Sequence, residues 1–187
     1  MTRIVAGELG GRRLDVPPGS GTRPTSDRAR EGLFSTLDAL GVLEGARVID
    51  LYAGSGAVGL EALSRGAADA LFVEADRAAA AVVRRNATTL GVGERATISQ
   101  RRAELLAAEP CPDAAYDVVF ADPPYAVEAA ELTSVLSGLE SNGWLAPGAV
   151  VVVERSSRDP EWVWATPLRA ERVRRYGEAS LWYGRRP

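Results

Sequence analysis

From residue 47 to residue 154, short apolar runs alternate with longer stretches in which apolar residues recur every three or four positions. The runs 47–51, 70–74, 96–100, 117–121 and 149–154 predict strands, and the stretches 58–65, 77–90, 103–108 and 128–140 predict helices. Repeated strand–helix units predict a mainly parallel sheet with helices on both faces. The ends of the chain break this alternation. Residues 3–8 and 12–16 flank Gly10-Gly11 and read as a hairpin. Residues 26–40 read as a helix capped by Ser26, with Ala29, Leu33, Phe34, Leu37 and Leu40 on one face. Residues 168–176 and 179–183 meet around Gly177 and read as a closing antiparallel hairpin. The expected fold is α/β and Rossmann-like: a mostly parallel seven-stranded sheet with an antiparallel C-terminal hairpin. A small hairpin-and-helix extension over residues 1–40 precedes a main unit over 41–187.

Composition narrows the function classes. A chain of 187 residues, 46% hydrophobic and 25% charged, fits one ordinary globular domain with a sizeable core. No apolar run approaches the ~20 residues of a membrane span, and residues 1–5 lack signal-peptide architecture, so a cytoplasmic protein is expected. The absence of His removes the commonest general base and metal ligand, and no metal is expected. The single Cys111, between Pro110 and Pro112, excludes an intrachain disulfide and reads as structural. Lys is absent, so every basic residue is Arg. Residues 1–30 hold six Arg against three acids, and residues 168–187 hold six against two, although the net charge is −3. Basic ends around an acidic centre fit a polyanionic partner such as nucleic acid; solvated surface charge is the plainer reading.

Two motifs carry chemistry. Asp122-Pro123-Pro124-Tyr125 directly follows strand 117–121, at the carboxyl end where open α/β sheets bind ligands. Proline has a nearly fixed φ and no amide hydrogen, so the carbonyls and the carboxylate stand as rigid acceptors beside an aromatic ring. That suits a flat, NH-bearing group such as a nucleobase with an exocyclic amine. A Pro-Pro turn with an incidental Asp and Tyr accounts for these four residues equally well on their own. Strand 47–51 runs into Asp50-Leu51-Tyr52-Ala53-Gly54-Ser55-Gly56-Ala57-Val58-Gly59, in which the glycines fit G-x-G-x-x-G. Glu74 ends the next strand, 20 residues after Gly54, where a carboxylate accepts hydrogen bonds from ribose hydroxyls. The loop alone does not separate NAD from another adenosine ligand. Asp50 suits a cationic amino-acid moiety better than a pyrophosphate, and amides after Gly56 suit that moiety's carboxylate. Asp50 and the Asp-Pro-Pro-Tyr run together favour methyl transfer from S-adenosylmethionine over hydride transfer.

Asp50 to Gly56 resembles motif I of class I S-adenosylmethionine-dependent methyltransferases, and Asp122 to Tyr125 resembles their amine-methylating (D/N)-P-P-(Y/F) motif. Arg3-Ile4-Val5-Ala6-Gly7, Gly11-Arg12-Arg13-Leu14, Arg23-Pro24-Thr25-Ser26-Asp27-Arg28 and Arg30-Glu31-Gly32-Leu33-Phe34 resemble the RsmD family of bacterial 16S ribosomal RNA guanine-N2 methyltransferases. Gly59-Leu60-Glu61-Ala62-Leu63-Ser64-Arg65-Gly66 continues the match, which covers about the whole chain. The resemblance implies a class I methyltransferase fold, S-adenosylmethionine as cofactor and 16S ribosomal RNA as partner, naked or within a small subunit or assembly intermediate. A monomer with no membrane association is expected. Asp50, Tyr52, Ala53, Gly54, Ser55, Gly56, Glu74, Ala75, Arg102, Ala103, Thr25 and Arg28 would hold the cofactor. Asp122, Pro123, Pro124 and Tyr125 would present the guanine, and Arg3, Arg12, Arg13, Arg23 and Arg30 would engage RNA. The chain departs from the family at Arg102, which stands where an adenine-binding Asp or Asn is usual; backbone near Ala103 or another side chain is expected to serve instead. The rival readings are an adenine-N6 or other amine methyltransferase, an NAD-dependent oxidoreductase, and a non-catalytic ribosome-assembly factor.

Overall fold

The computed structural model describes residues 2–18 and 27–187. Seven strands form one sheet: β3 (Arg47–Leu51), β4 (Asp69–Val73), β5 (Ala96–Ser99), β6 (Tyr116–Ala121), β7 (Leu145–Ser156), β8 (Arg169–Tyr176) and β9 (Ala179–Arg185). Their order is β5-β4-β3-β6-β7-β9-β8. The first five are parallel, and β9 turns antiparallel to β7 and to the edge strand β8, as the sequence pattern predicts. The parallel strands are apolar on both faces because helices cover both. Helices α1 (Asp27–Leu40), α2 (Ala57–Ser64) and α3 (Arg77–Leu90) bury one face, around Leu33, Phe34, Leu60, Leu63, Phe72 and Phe120. Helices α4 (Ala103–Ala107) and α5 (Ala129–Ser141) bury the other, around Leu106, Leu132, Leu136, Val119 and Val151. Each large apolar side chain buried this way contributes roughly 1.5–3 kcal/mol relative to exposure. Among the described residues, no helix is long and apolar enough to cross a membrane.

The structure adjusts two predicted elements. β7 begins at Leu145 rather than near Ala149, because the pairing with β6 is irregular after Tyr116 and carries the strand through Pro147 and Gly148. The N-terminal hairpin pairs only over β1 (Thr2–Arg3) and β2 (Arg13–Leu14). The intervening segment instead docks on α2. The Glu61 carboxylate accepts the Val5 and Ala6 amides at 2.7 and 3.0 Å. Ser64 Oγ accepts the Leu9 amide at 3.0 Å and donates to the Ala6 carbonyl at 2.6 Å. Glu61 is fully buried and tolerates burial because Arg65 pairs with it at 2.8 Å. Ile4 and Leu14 join the same core as Leu33, Phe34 and Leu37. Ser26, expected to cap α1, lies outside the described residues.

Candidate active site

The carboxyl ends of β4, β3 and β6 lie side by side, with Leu51 in register with both Val73 and Ala121. The next residues, Glu74, Tyr52 and Asp122, therefore form one row along this edge. A strand spacing of about 4.8 Å sets Glu74 and Asp122 roughly 10 Å apart, with the glycine loop between them. The row sits where the strand order reverses about β3, the usual ligand crevice of an open α/β sheet.

The loop is tightly wound. Tyr52, Gly54 and Gly56 all take positive φ, at 60°, 58° and 79°. Glycine adopts this conformation without steric cost, whereas Tyr52 is strained and must be held. The Ala53 amide donates to the Val73 carbonyl at 3.1 Å and the Gly56 amide to the Ala53 carbonyl at 2.7 Å. A Cβ at Gly54 would meet nothing within 4 Å, so backbone is presented openly at that point. Glu74 accepts the Gly54 and Asp76 amides at 2.8 Å, one on each oxygen. Each oxygen retains a lone-pair site for a ribose hydroxyl. The neighbouring Ala75 is exposed, Ala53 is buried and Ser55 is half-buried. The Tyr52 hydroxyl is buried without a hydrogen-bond partner, and burial, helped by Glu104 and Glu131, pushes the phenol up to about 12.

Asp50 is 2% exposed, and its Oδ2 accepts the Gly59 amide at 2.9 Å. Burial pushes its carboxyl up to about 8 despite that bond, and the charges of Asp122 and Glu74 add to the rise. Three acidic side chains thus converge on the loop. That donor set disfavours a pyrophosphate and suits a ligand carrying sulfonium and ammonium charges, so the residues present fit S-adenosylmethionine.

Asp122 is half-buried, Pro123 is buried, and Tyr125 is 77% exposed, its ring available for stacking. The Pro124 carbonyl accepts the Val127 amide at 2.9 Å, closing a turn. Arg155 Nη1 donates to the Val127 carbonyl at 2.9 Å while its Nε pairs with Asp159 at 3.1 Å. The motif is therefore braced from β7, with the Pro124 carbonyl engaged inside its own turn; the Pro123 carbonyl and Asp122 are its candidate acceptors toward a ligand.

Other expected site residues fall elsewhere. Arg102 does not turn into the row: its side chain is 67% exposed and pairs with Glu104 at 3.1 Å and Glu131 at 3.8 Å. Ala103 is buried at the first position of α4, so backbone there remains the candidate for the adenine edge. Arg3, Arg13 and Arg28 are exposed. Arg12 is exposed too, but its Nη2 donates to the Thr89 carbonyl of α3 at 2.9 Å. Arg30, expected to engage RNA, is instead a core residue. It is 1% exposed, and its Nη2 donates to the Arg3 carbonyl at 2.6 Å and pairs with Asp27 at 3.0 Å. Its spacing from Leu33, Phe34 and Leu37 places it on the apolar stripe of α1, which is why it turns inward. Arg23 and Thr25 lie outside the described residues.

Sequence reasoning missed Asn86. This 3% exposed residue accepts the Asp15 amide at 2.9 Å and donates to the Asp15 and Ser55 carbonyls, each at 3.0 Å. The signal was present: Asn86 is a polar residue on the stripe of Ala79, Val82, Val83 and Leu90. A hollow of about 350 Å3 lined by Val42, Glu44, Asp117 and Gly148 lies at the opposite end of the strands and gathers no comparable set of groups.

A family model described as "Conserved hypothetical protein 95" matches residues 2–185. The chain is 43% identical over 152 residues to "Ribosomal RNA small subunit methyltransferase D" of Escherichia coli (strain K12), covering 81% of this chain and 73% of the relative. It is 37% identical over 159 residues to the protein of the same name from Haemophilus influenzae, covering 84% and 80%. A solved structure described as a putative methyltransferase yhhF from Escherichia coli matches with a TM-score of 0.85 at 34% identity, over 98% of this chain and 97% of that chain.

Proposed function

The chain belongs to the RsmD family, and on that premise we propose that it transfers a methyl group from S-adenosylmethionine to the exocyclic N2 amine of a guanine in 16S ribosomal RNA. The observation that carries this reading is the row of Glu74, Tyr52 and Asp122 at the sheet edge, with buried Asp50 behind it. S-adenosylmethionine supplies a methyl group on a sulfonium and leaves as the neutral thioether once the methyl has gone. Glu74 takes the ribose hydroxyls, the loop from Tyr52 to Gly56 lies along the methionine part, and Asp50 supplies negative charge beneath it.

The N2 amine is a poor nucleophile because its lone pair is conjugated into the ring. Asp122 and the Pro123 carbonyl accept its two hydrogens and favour sp3 geometry, which frees the lone pair. Tyr125 stacks on the base, a contact worth ~1–3 kcal/mol. The base leaves its own stack first, at a cost of a few kcal/mol. Much of the acceleration comes from holding the amine in line for attack. The amine becomes acidic once it carries the extra bond, and Asp122 or water takes its proton. No histidine is needed.

Residues 1–40 serve as the RNA-facing and cofactor-covering region, with Arg3, Arg12 and Arg13 toward RNA and Arg28 toward the cofactor. The protein acts as a cytoplasmic monomer on 16S ribosomal RNA, naked or within a small subunit or an assembly intermediate. A thermal-shift comparison tests the cofactor: S-adenosylmethionine and S-adenosylhomocysteine should raise Tm, and NAD should not. Stabilisation by NAD alone would overturn the reading.

A further inference from the structure

We propose that the edge strand β8 is a docking strip for the phosphate backbone of the RNA substrate, with Arg169, Arg172 and Arg174 as its contacts. The proposal rests on the RNA methyltransferase reading above. Many of the described arginines elsewhere are neutralised. Arg47 pairs with Asp69, Arg65 with Asp38 and Glu61, Arg101 with Glu109, and Arg186 with Glu140. On β8, by contrast, Arg169, Arg172, Arg174 and Arg175 have no carboxylate partner among the described residues. The strand's own acid, Glu171, is paired with Arg185 of β9.

Register turns three of these cations to one face. Arg169 lies opposite Arg185, Arg172 opposite Tyr183 and Arg174 opposite Leu181. In an unbroken strand, residues 169 and 172 would point to opposite faces. The irregularity between Ala170 and Arg172 inserts one residue and brings both to the face that also holds Tyr183 and Leu181. The strip spans about 17 Å at ~3.4 Å per strand residue, the length of about five stacked nucleotides.

The strip also runs toward the chemistry. Arg174 is level with Glu154, one residue beyond Val153, and Val153 pairs with Ala121, which precedes Asp122. Three strand spacings separate β8 from β6, so the strip ends roughly 14 Å to the side of the Asp-Pro-Pro-Tyr motif. A Cβ on Gly32 would fall 2.1 Å from the Tyr176 ring, so α1 packs directly against this end of β8. Exposed Arg28, one turn earlier on α1, lies at the same border.

Charged side chains on an edge strand also prevent edge-to-edge pairing, but either sign serves that purpose. In a chain with 25 acidic and 22 basic residues, a strip of unpaired arginines selects for a polyanion. The guanidinium fork matches phosphate oxygens bidentately.

The test uses an unmodified 16S ribosomal RNA transcript, the full-length protein and its Arg169→Gln/Arg172→Gln/Arg174→Gln variant, titrated across a salt series. The variant should bind the transcript roughly tenfold more weakly, with the log–log salt slope reduced by about 2–3, while its S-adenosylmethionine affinity is unchanged. Should light scattering show the triple variant associating at its edge, Arg172→Gln and Arg174→Gln are read singly, each lowering the slope by about one. An unchanged RNA affinity and slope would overturn the strip while leaving the enzyme reading intact. Weakened binding to small subunits with unchanged binding to the transcript would also overturn it, by assigning the strip to an acidic protein. A wild-type protein that binds no ribosomal RNA would remove the reading beneath it as well.

Discussion

Asn86 and Asp15 are joined by two hydrogen bonds, side-chain amide to main chain in both directions, at 2.9 and 3.0 Å. The same Asn86 nitrogen donates to the Ser55 carbonyl at 3.0 Å. One buried side chain therefore ties the N-terminal extension to the cofactor loop. Replacing Asn86 with Ala removes all three bonds and leaves partly buried backbone groups without their partner, at a cost of about 1 kcal/mol or more. The expected outcome is a lower Tm together with cofactor affinity about tenfold weaker, a 1.4 kcal/mol loss. Calorimetric titration of the folded variant with S-adenosylhomocysteine checks it, and unchanged affinity would show that the clasp does not reach the loop.

Asp50 links cofactor binding to protons. Its ordinary carboxyl value is about 3.9, and burial raises it to about 8. The ligand-free fold therefore holds a proton that the unfolded chain has released, so stability falls as pH rises from about 4 to about 8 and then levels. A cationic ligand lowers the Asp50 value and expels that proton. S-adenosylmethionine affinity should rise with pH up to about 8, with proton release measurable near pH 7 by titration calorimetry in buffers of different ionisation enthalpy. Asp50→Asn should abolish the release; its persistence in that variant would assign the proton to another group.

Arg13 and Arg30 should separate cleanly. Arg13 is exposed, so Arg13→Glu should weaken RNA binding and lower its salt slope while stability stays within about 0.5 kcal/mol. Arg30 is buried beneath the Arg3 carbonyl, so Arg30→Met should cost about 1–3 kcal/mol of stability and leave the salt slope unchanged. Denaturant titration and RNA binding on the same two variants distinguish these outcomes.

Asp122 is assigned to the transferring amine rather than to the cofactor. Asp122→Ala should lower methyl transfer by a factor of about 100–1,000, the scale of losing one preorganised hydrogen-bonding group, while S-adenosylmethionine affinity stays within a few-fold. Single-turnover transfer and equilibrium binding measured side by side provide the check.

The glycine loop, Glu74 and the Asp-Pro-Pro-Tyr run were legible because each needs particular residues at fixed spacing after a strand. Their alignment in one row was not, since the pairing of Leu51 with both Val73 and Ala121 depends on strand order. Arg30 was misread because charge outweighed its position on the apolar stripe of α1. Asn86 and Glu61 were overlooked for a related reason: a polar residue on a buried stripe announces a partner without naming it. The arginine strip on β8 was visible only as charge, because the irregularity at Glu171 sets its facing.

The central claim is tested most directly by nucleoside mass spectrometry of 16S ribosomal RNA, naked and within small subunits, taken from cells lacking the protein. Each is incubated with the purified protein and deuteromethyl-labelled S-adenosylmethionine. The account predicts label in N2-methylguanosine at one position, strongly reduced with Asp122→Ala. Label in N6-methyladenosine or another nucleoside, or no label in either form of the substrate, would contradict it.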